Sequence, residues 1–170
     1  MTILKVLSVP DDRLTIKANP VPAVTDHVRA ILDNMVDTMH AENGCGLAAV
    51  QVDIPLRLVV VDLGDDVIYK MCNPMIRWHS KNIIMSEEGC LSVPRQVAIV
   101  PRFEAIHIDY LNENGQRCTL KTGDFLAICL QHEMDHLDGK LYIDYLDPKD
   151  RQQLIDNVTH CGINDLQCRL

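Results

Sequence analysis

His132, Glu133 and His136 form the pattern H-E-x-x-H, and all three side chains can bind a metal ion or carry a proton. On a helix the two histidines lie one turn apart, so their imidazoles project from the same face and can bind one ion. Glu133 follows the first histidine and projects about 100° further round the helix, within reach of a water at the metal. The pattern therefore predicts a metal site with Glu133 as the general base.

The alternative interpretation is a helix with two surface histidines and an ordinary glutamate. The apolar segment AICL precedes the motif and Leu137 follows it, which indicates a half-buried helix. Polar groups without partners are costly in such a position. These flanking residues therefore favour metal binding.

A third metal ligand must come from elsewhere, because catalytic zinc-type centres typically use three protein ligands and keep one position for water. The downstream candidates are Asp144, Asp147, Asp150 and His160, and none of them lies in a recognisable motif. Upstream, Cys90 follows Gly89, a residue that allows the backbone to turn tightly. Cys90 is the better candidate.

Helical periodicity is present at three places that could position these side chains. The first helix is predicted from the apolar pattern of 28–39 behind the capping candidates Thr25 and Asp26, and it should stop at Gly44. The second is Asp124–Leu137, which carries the H-E-x-x-H pattern and is closed by Gly139. The third should begin near Pro148 and bury Leu154, Ile155 and Val158.

Short β-branched stretches between these helices predict strands at 56–63, 67–72, 103–111 and 118–120. Asn114-Gly115 separates the last two, which is a strong hairpin signal. The glycine-rich segment GCGLAAVQ predicts a loop. We therefore expect an α+β fold with mostly antiparallel β-sheets packed around a central H-E-x-x-H helix, flanked by N- and C-terminal helices.

Length and composition limit the class of protein. The 170 residues suit a single domain, 1–170, in which about 159–170 would be a loose C-terminal tail. Acidic residues outnumber basic ones by 24 to 16, which disfavours nucleic-acid recognition. No apolar run reaches the ~20 residues of a membrane span, and the N-terminus is not typical of a signal peptide. We expect a cytoplasmic protein with no membrane partner, whose seven irregularly spaced cysteines are reduced thiols.

Three segments together resemble the signature motifs of the bacterial-type peptide deformylase family. They are GCGLAAVQ at 44–51, EGCLS at 88–92 and QHEMDHLDG at 131–139, in the order and approximate spacing of that family. The similarity also includes the N-terminal VLSVPDDRL and extends to about residue 146. The resemblance implies a metal-dependent hydrolase that removes the N-terminal formyl group from formyl-methionine of newly synthesised polypeptides, by attack of a metal-bound water assisted by Glu133.

The resemblance also implies a role for each matched residue. Cys90, His132 and His136 would bind the metal, Glu133 would transfer the proton, Gln51 and the Leu91 N–H would stabilise the oxyanion, and the Gly46 backbone would lie along the substrate. One divalent ion would be the cofactor. Fe²⁺ is the expected physiological ion, whereas Zn²⁺, Ni²⁺ or Co²⁺ also suit one thiolate with two imidazoles.

Several positions depart from the family pattern. Cys45 stands where an aliphatic residue is usual, Ser86 and Phe125 where Ile and Leu are common near the methionine pocket, and Val97 where an arginine is frequent, with Arg95 close by. The C-terminal segment DNVTHCGINDLQCRL is almost without lysine, whereas well-known bacterial members end in a basic helix that docks on the ribosome. The expected partners are N-formyl-methionyl nascent peptides and, at most weakly, the ribosome.

Two other functions share part of the pattern. A zinc endopeptidase also uses H-E-x-x-H, but EGCLS and the lack of a downstream ligand motif count against it. A structural metal-binding domain would close its site with four ligands and would have no use for Glu133 beside an open position.

Overall fold

The computed structural model describes residues 2–163, and the side chains of residues 2–160. Its helices are α1 Asp26–Ala41, α2 Asp124–Leu137 and α3 Pro148–Ile163. Its strands are β1 Gly46–Ala48, β2 Leu58–Asp62, β3 Ile68–His79, β4 Ile83–Cys90, β5 Val93–Phe103, β6 Ala105–Leu111 and β7 Arg117–Gly123. Single 3-10 turns lie at Asp12–Thr15, Ala49–Val52 and Tyr142–Tyr145.

Two antiparallel sheets form the β part of the molecule. Five strands pair in the order β1-β2-β3-β6-β7, and β4 pairs with β5 in a separate hairpin. β6 and β7 meet at Asn114-Gly115, where Gly115 has a φ of +74° that suits glycine. The predicted α+β class with antiparallel sheets is confirmed.

The helix α2 is the central element of the fold. It contacts β1, β2, β6 and β7 of the large sheet and also β5 of the hairpin. Leu130 and Leu137 are fully buried against Ile106, Ile108 and other apolar side chains of the large sheet. Both sides of the helix are therefore covered, and four of its polar residues are buried: Gln131, His132, Glu133 and His136.

The flanking helices have the predicted positions. The Thr25 side chain accepts a hydrogen bond from the Val28 N–H at the start of α1, and the apolar face of α1 packs in a second core cluster. In α3, Leu154, Ile155 and Val158 pack in a third cluster beneath the hairpin. α3 continues to Ile163, and the rest of the predicted tail lies outside the described residues.

The main error of the sequence prediction concerns the hairpin β4–β5. The predicted strand 103–111 is two strands, because the chain leaves the hairpin after Phe103, turns at Glu104 and enters the large sheet at Ala105. GCGLAAVQ is not all loop, since Gly46–Ala48 pairs with β2. Both errors have one cause: sheet membership depends on distant partners, which local alternation does not encode.

Within residues 2–163, every helix is too short or too polar to cross a membrane.

Candidate active site

The three predicted metal ligands converge at one point between α2 and the β4–β5 hairpin. Cys90 Sγ, a His132 ring nitrogen and a His136 ring nitrogen all lie within 4.8 Å of one another. His136 Nε2 is 3.3 Å from His132 Nε2 and 3.3 Å from Cys90 Sγ. Two adjacent elements therefore supply the donors, the imidazoles from one helix face and the thiol from the end of β4.

These distances fit a single tetrahedral ion. With metal–nitrogen bonds of ~2.0–2.1 Å and a metal–sulfur bond of ~2.3 Å, nitrogens would be about 3.3 Å apart and sulfur about 3.6 Å from nitrogen. The donor set of one thiol and two imidazoles suits a zinc-like or ferrous ion. The residues present thus fit the metal that the sequence predicts.

A buried carboxylate fixes the ring of His132. Glu88 Oε2 lies 2.8 Å from His132 Nδ1, which leaves Nε2 directed at Cys90 and His136. Arg102 in turn donates to both oxygens of Glu88, at 2.7 and 2.9 Å, and its other nitrogen reaches Asp135. A carboxylate behind a ligating histidine sets its tautomer and orientation, and this arrangement extends one residue further to Arg102.

The charges of this group shape the pKa values of its members. Burial opposes ionisation of Glu88, but hydrogen bonds from Arg102 and His132 outweigh burial and hold the pKa of Glu88 below its usual value. Burial likewise opposes a charged His132, yet hydrogen bonds with Cys90 and Glu88 raise its pKa well above normal. Burial, with the nearby charge of His132, lowers the pKa of His136 to about 4. The surroundings of His132 thus stabilise positive charge at its ring.

Cys90 lies at the turn that joins β4 to β5, where two N–H groups point at its sulfur. The Ser92 backbone N–H is 3.4 Å away and Gln51 Nε2 is 3.5 Å away. Gln51 also donates to Ser92 Oγ at 3.1 Å, and its Oε1 accepts from the Ala48 N–H at 2.8 Å. Gln51 is therefore held rigidly beside the sulfur, and it is almost fully buried.

Glu133 is buried with one oxygen, Oε2, that has no hydrogen-bond partner among the described residues. Burial raises its pKa to about 7, although the neighbouring His132 and His136 oppose the rise. Its other oxygen lies where a Cβ of Gly46 would be, so any side chain at that position would collide with the carboxylate. Gly46 thus makes room for the predicted base.

A cavity of about 780 Å³ opens onto this group. Six of the seven predicted site residues line its wall: Gly46, Gln51, Cys90, Leu91, His132 and Glu133. The seventh, His136, is fully buried beneath them. Among the departures from the family pattern, Cys45, Arg95, Val97 and the half-exposed Phe125 also line the cavity, whereas Ser86 is not part of its lining.

The residues that support the site carry weaker sequence signals. Ser92 and Glu88 lie inside the EGCLS motif, so the motif could have suggested them, but Arg102 lies in an unremarkable strand. Tyr142, whose ring centroid is 5.9 Å from that of His132, likewise carries no motif. The rejected downstream ligands have other partners: Asp144 binds Arg151, and Asp147 caps the start of α3.

These features are typical of a hydrolytic enzyme. They are an H-E-x-x-H helix, a thiol donor from a hairpin turn and an open cavity beside a buried carboxylate. The sequence model of the polypeptide deformylase family matches residues 3–152. The chain therefore belongs to the polypeptide deformylase family, whose members are metal-dependent enzymes.

Solved structures agree with this assignment. A peptide deformylase from Ehrlichia chaffeensis is 37% identical, with a TM-score of 0.92 over 97% of this chain and 99% of that one. A second crystal structure from Ehrlichia chaffeensis, in complex with actinonin, is also 37% identical, with a TM-score of 0.92 over 94% and 98% of the two chains. A peptide deformylase from Legionella pneumophila is 35% identical, with a TM-score of 0.91 over 99% of both.

Proposed function

We propose that this chain hydrolyses the N-terminal formyl group of N-formyl-methionyl nascent peptides, releasing formate and a free amine. The observation that carries the proposal is the geometry of Cys90, His132 and His136, whose donor atoms lie within 4.8 Å of one another beside a cavity that Glu133 and Gln51 also line. The actinonin complex of the Ehrlichia chaffeensis relative adds support, because it places a ligand on a protein of the same fold.

We infer that Cys90, His132 and His136 hold one divalent ion. Glu88 keeps the His132 lone pair on the metal side, and the N–H groups of Ser92 and Gln51 favour the thiolate form of Cys90. When bound, the ion supplies Lewis acidity, lowering the pKa of a water and polarising a carbonyl. Fe²⁺ is our choice for the physiological ion, and the same donors accept Zn²⁺, Ni²⁺ or Co²⁺.

Glu133 is placed to move the proton. Its partnerless Oε2 can accept the proton of the attacking water and then deliver it to the departing amine nitrogen. A pKa near neutrality suits both halves of this transfer, because the carboxylate must gain and lose the same proton in one turnover.

The Gln51 amide and the Leu91 N–H are our candidates for stabilising negative charge on the formyl oxygen. Both residues line the cavity, Gln51 with its Nε2 3.5 Å from Cys90 Sγ and Leu91 next to Cys90 in the chain. The Ala48 N–H holds Gln51 Oε1 in place, so the amide nitrogen stays at the site, where it would exchange its long contact with Cys90 Sγ for the formyl oxygen. One such donor is typically worth ~3–4 kcal/mol. The Gly46 backbone would form the opposite wall.

We propose that residues 1–170 act as one catalytic domain and bind the ribosome at most weakly, since the segment 156–170 contains one basic residue other than histidine. A cytoplasmic location, where formylated nascent chains are made, stays a prediction from the sequence.

The substitution Glu133→Ala tests the proposal by separating metal binding from turnover. We expect one equivalent of metal to remain, because all three ligands are intact, while formate release from formyl-Met-Ala falls by ~10² or more, the usual scale for a positioned acid-base group. Metal content is measured by elemental analysis and turnover by formate release. Near-native kinetics would remove Glu133 from the mechanism, and intact metal binding by a wild-type chain without any turnover would favour a structural site.

A further inference from the structure

Two cysteines outside the metal site face each other in the wall of the same cavity. Cys45 Sγ and Cys129 Sγ are 3.7 Å apart although 84 residues separate them in the chain. Cys45 immediately precedes β1, and Cys129 lies on α2 one turn before the metal ligand His132. Nothing in the proposed reaction uses either thiol.

Both thiols can be reached from the cavity. Cys45 and Cys129 are part of its lining, and Cys45 is only partly buried. Of the other thiols in the described region, Cys90 also lines the cavity but is assigned to the metal site. Cys72 is fully buried in another cluster, and Cys118 lies on β7, hydrogen-bonded to the Gln116 carbonyl. A small oxidant entering the cavity therefore meets these two sulfurs together.

The contact also prepares one member of the pair for reaction. A hydrogen bond with Cys129 lowers the pKa of the Cys45 thiol to about 6, despite partial burial. The same contact raises the pKa of Cys129. A nucleophilic thiolate thus lies beside a thiol that can supply a proton.

We propose that Cys45 and Cys129 form a peroxide-oxidisable pair that closes to a disulfide and reversibly locks β1 to α2. The Cys45 thiolate attacks a peroxide oxygen, so that an S–O bond forms, the O–O bond breaks and a hydroxide leaves to become water. Cys129 sulfur then attacks the sulfenic sulfur, its proton leaves with the second hydroxide as water, and the S–S bond forms. Two thiols lose two electrons, and one hydrogen peroxide becomes two waters.

The bond requires only a short approach of the two sulfurs. The sulfurs must approach from 3.7 Å to about 2.0 Å. Glycines flank Cys45 on both sides, so the chain there can adjust more readily than α2 can.

That adjustment reaches the catalytic group. Gly46, next to Cys45, packs directly against the Glu133 carboxylate, and Cys129 is on the same helix as Glu133. A shift of about 1 Å in such a constellation can cost ~10²-fold in rate, so we expect the disulfide to slow turnover at least about tenfold. The disulfide itself does not depend on the proposed deformylation.

The test uses the full chain loaded with zinc, because ferrous ion would itself react with peroxide. Wild type, Cys45→Ser and Cys129→Ala are treated with hydrogen peroxide, and Cys118→Ser, on β7 away from the cavity, is the matched control. Non-reducing peptide mapping by mass spectrometry reports the disulfide, formate release reports turnover, and dithiothreitol is then added. Circular dichroism verifies that each variant is folded.

We expect a cross-linked peptide containing residues 45 and 129 in wild type and Cys118→Ser, with turnover lost at least about tenfold and restored by dithiothreitol. Cys45→Ser and Cys129→Ala should both lack the cross-link and this reversible loss. Free thiols at 45 and 129 after treatment, a disulfide to Cys90 instead, or full turnover in the cross-linked protein would overturn the proposal. A chain that never releases formate would fail the proposed function, while the mapping would still decide the thiol pair.

Discussion

Gly46 shows at the scale of a single residue how a missing side chain can be a functional feature. A Cβ at this position would collide with the carboxylate of Glu133, so the carboxylate would have to leave its place beside β1. The glycine was predicted to leave room for substrate, but the structure adds that it leaves room for the base. This second reason depends on how β1 packs against α2, which the motif alone does not encode.

The substitution Gly46→Ala should therefore displace Glu133 and lower turnover. We expect a loss of ~10² or more in kcat, comparable with removing a positioned acid-base group, with metal content retained. Gly123→Ala is the matched control, since a Cβ there meets only the Glu104 carbonyl at 3.4 Å and Ala105 at 3.9 Å. Equal turnover in the Gly46 variant and the control would show that the contact with Glu133 is unimportant.

At the same scale, sequence reasoning identified the candidate ligands that the structure brings together, but not the residues that support them. H-E-x-x-H follows from helical geometry alone, so His132, Glu133 and His136 could be placed together without a structure. Cys90 was the preferred third candidate because it follows Gly89, and the EGCLS motif then supported that choice. Arg102 could not be found, because its partners Glu88 and Asp135 lie on another strand and on α2.

The hairpin β4–β5 is the element that brings a thiol to the two imidazoles of α2. It carries Cys90 at its turn and Arg102 on β5, and Arg102 is 3% exposed while it binds Glu88 and Asp135. Its strands escaped prediction because apolar side chains on the solvent face obscure the alternation of apolar and polar residues that marks a half-buried strand. These exposed apolar residues include Ile83, Met85, Val97 and Ile99.

Removing the guanidinium should therefore loosen the hairpin from α2. For Arg102→Met we expect the free energy of unfolding to fall by ~3–5 kcal/mol, because the buried Glu88 loses its cationic partner and keeps only the hydrogen bond with His132. Arg77→Met is the matched control: its ion pair with Asp109 is exposed and should contribute at most about 1 kcal/mol. Urea unfolding of both zinc-loaded variants measures the difference, and similar losses would contradict this view of Arg102.

The C-terminal helix α3 contributes to the core through its first part. Leu154, Ile155 and Val158 make the packing contacts of α3, and all three precede residue 159. Truncation after Val158 should therefore keep kcat/KM on formyl-Met-Ala within about twofold, since only chain beyond these contacts is lost. Truncation after Lys149, which also removes the contacts, should cost stability in thermal unfolding. A collapse of activity in the shorter deletion would mean that the segment from 159 acts on the site.

At the scale of the whole molecule, two sheets and a central helix converge on one cavity. The class of fold and all three helices could be predicted, because long amphipathic patterns with clear caps encode them locally. The division of the strands between two sheets could not, because it depends on contacts between distant segments. The convergence of GCGLAAVQ, EGCLS and QHEMDHLDG at the cavity was predicted only through the family resemblance, and the structure places all three there.

The convergence of these three segments on the cavity has a consequence for substrate choice. A formyl carbon carries only hydrogen, so it can approach the site between Gln51, Leu91 and the Gly46 backbone, whereas an acetyl group adds a methyl at that point. Overpacking a tight site costs typically ~1–3 kcal/mol, and a displaced carbonyl also loses part of its oxyanion stabilisation. A peptide chain that continues on the formyl side would collide with the same three residues.

The central claim is tested most directly by comparing two blocked dipeptides on the ferrous-loaded wild-type chain. Formate release from formyl-Met-Ala and acetate release from acetyl-Met-Ala are measured as kcat/KM under identical conditions, with an unblocked peptide included to detect internal cleavage. We predict that the formyl substrate reacts at least ~10²-fold faster, which corresponds to ~2.7 kcal/mol, and that internal bonds stay intact. Comparable rates on the two dipeptides, or cleavage within the unblocked peptide, would contradict the deformylase account and favour an endopeptidase.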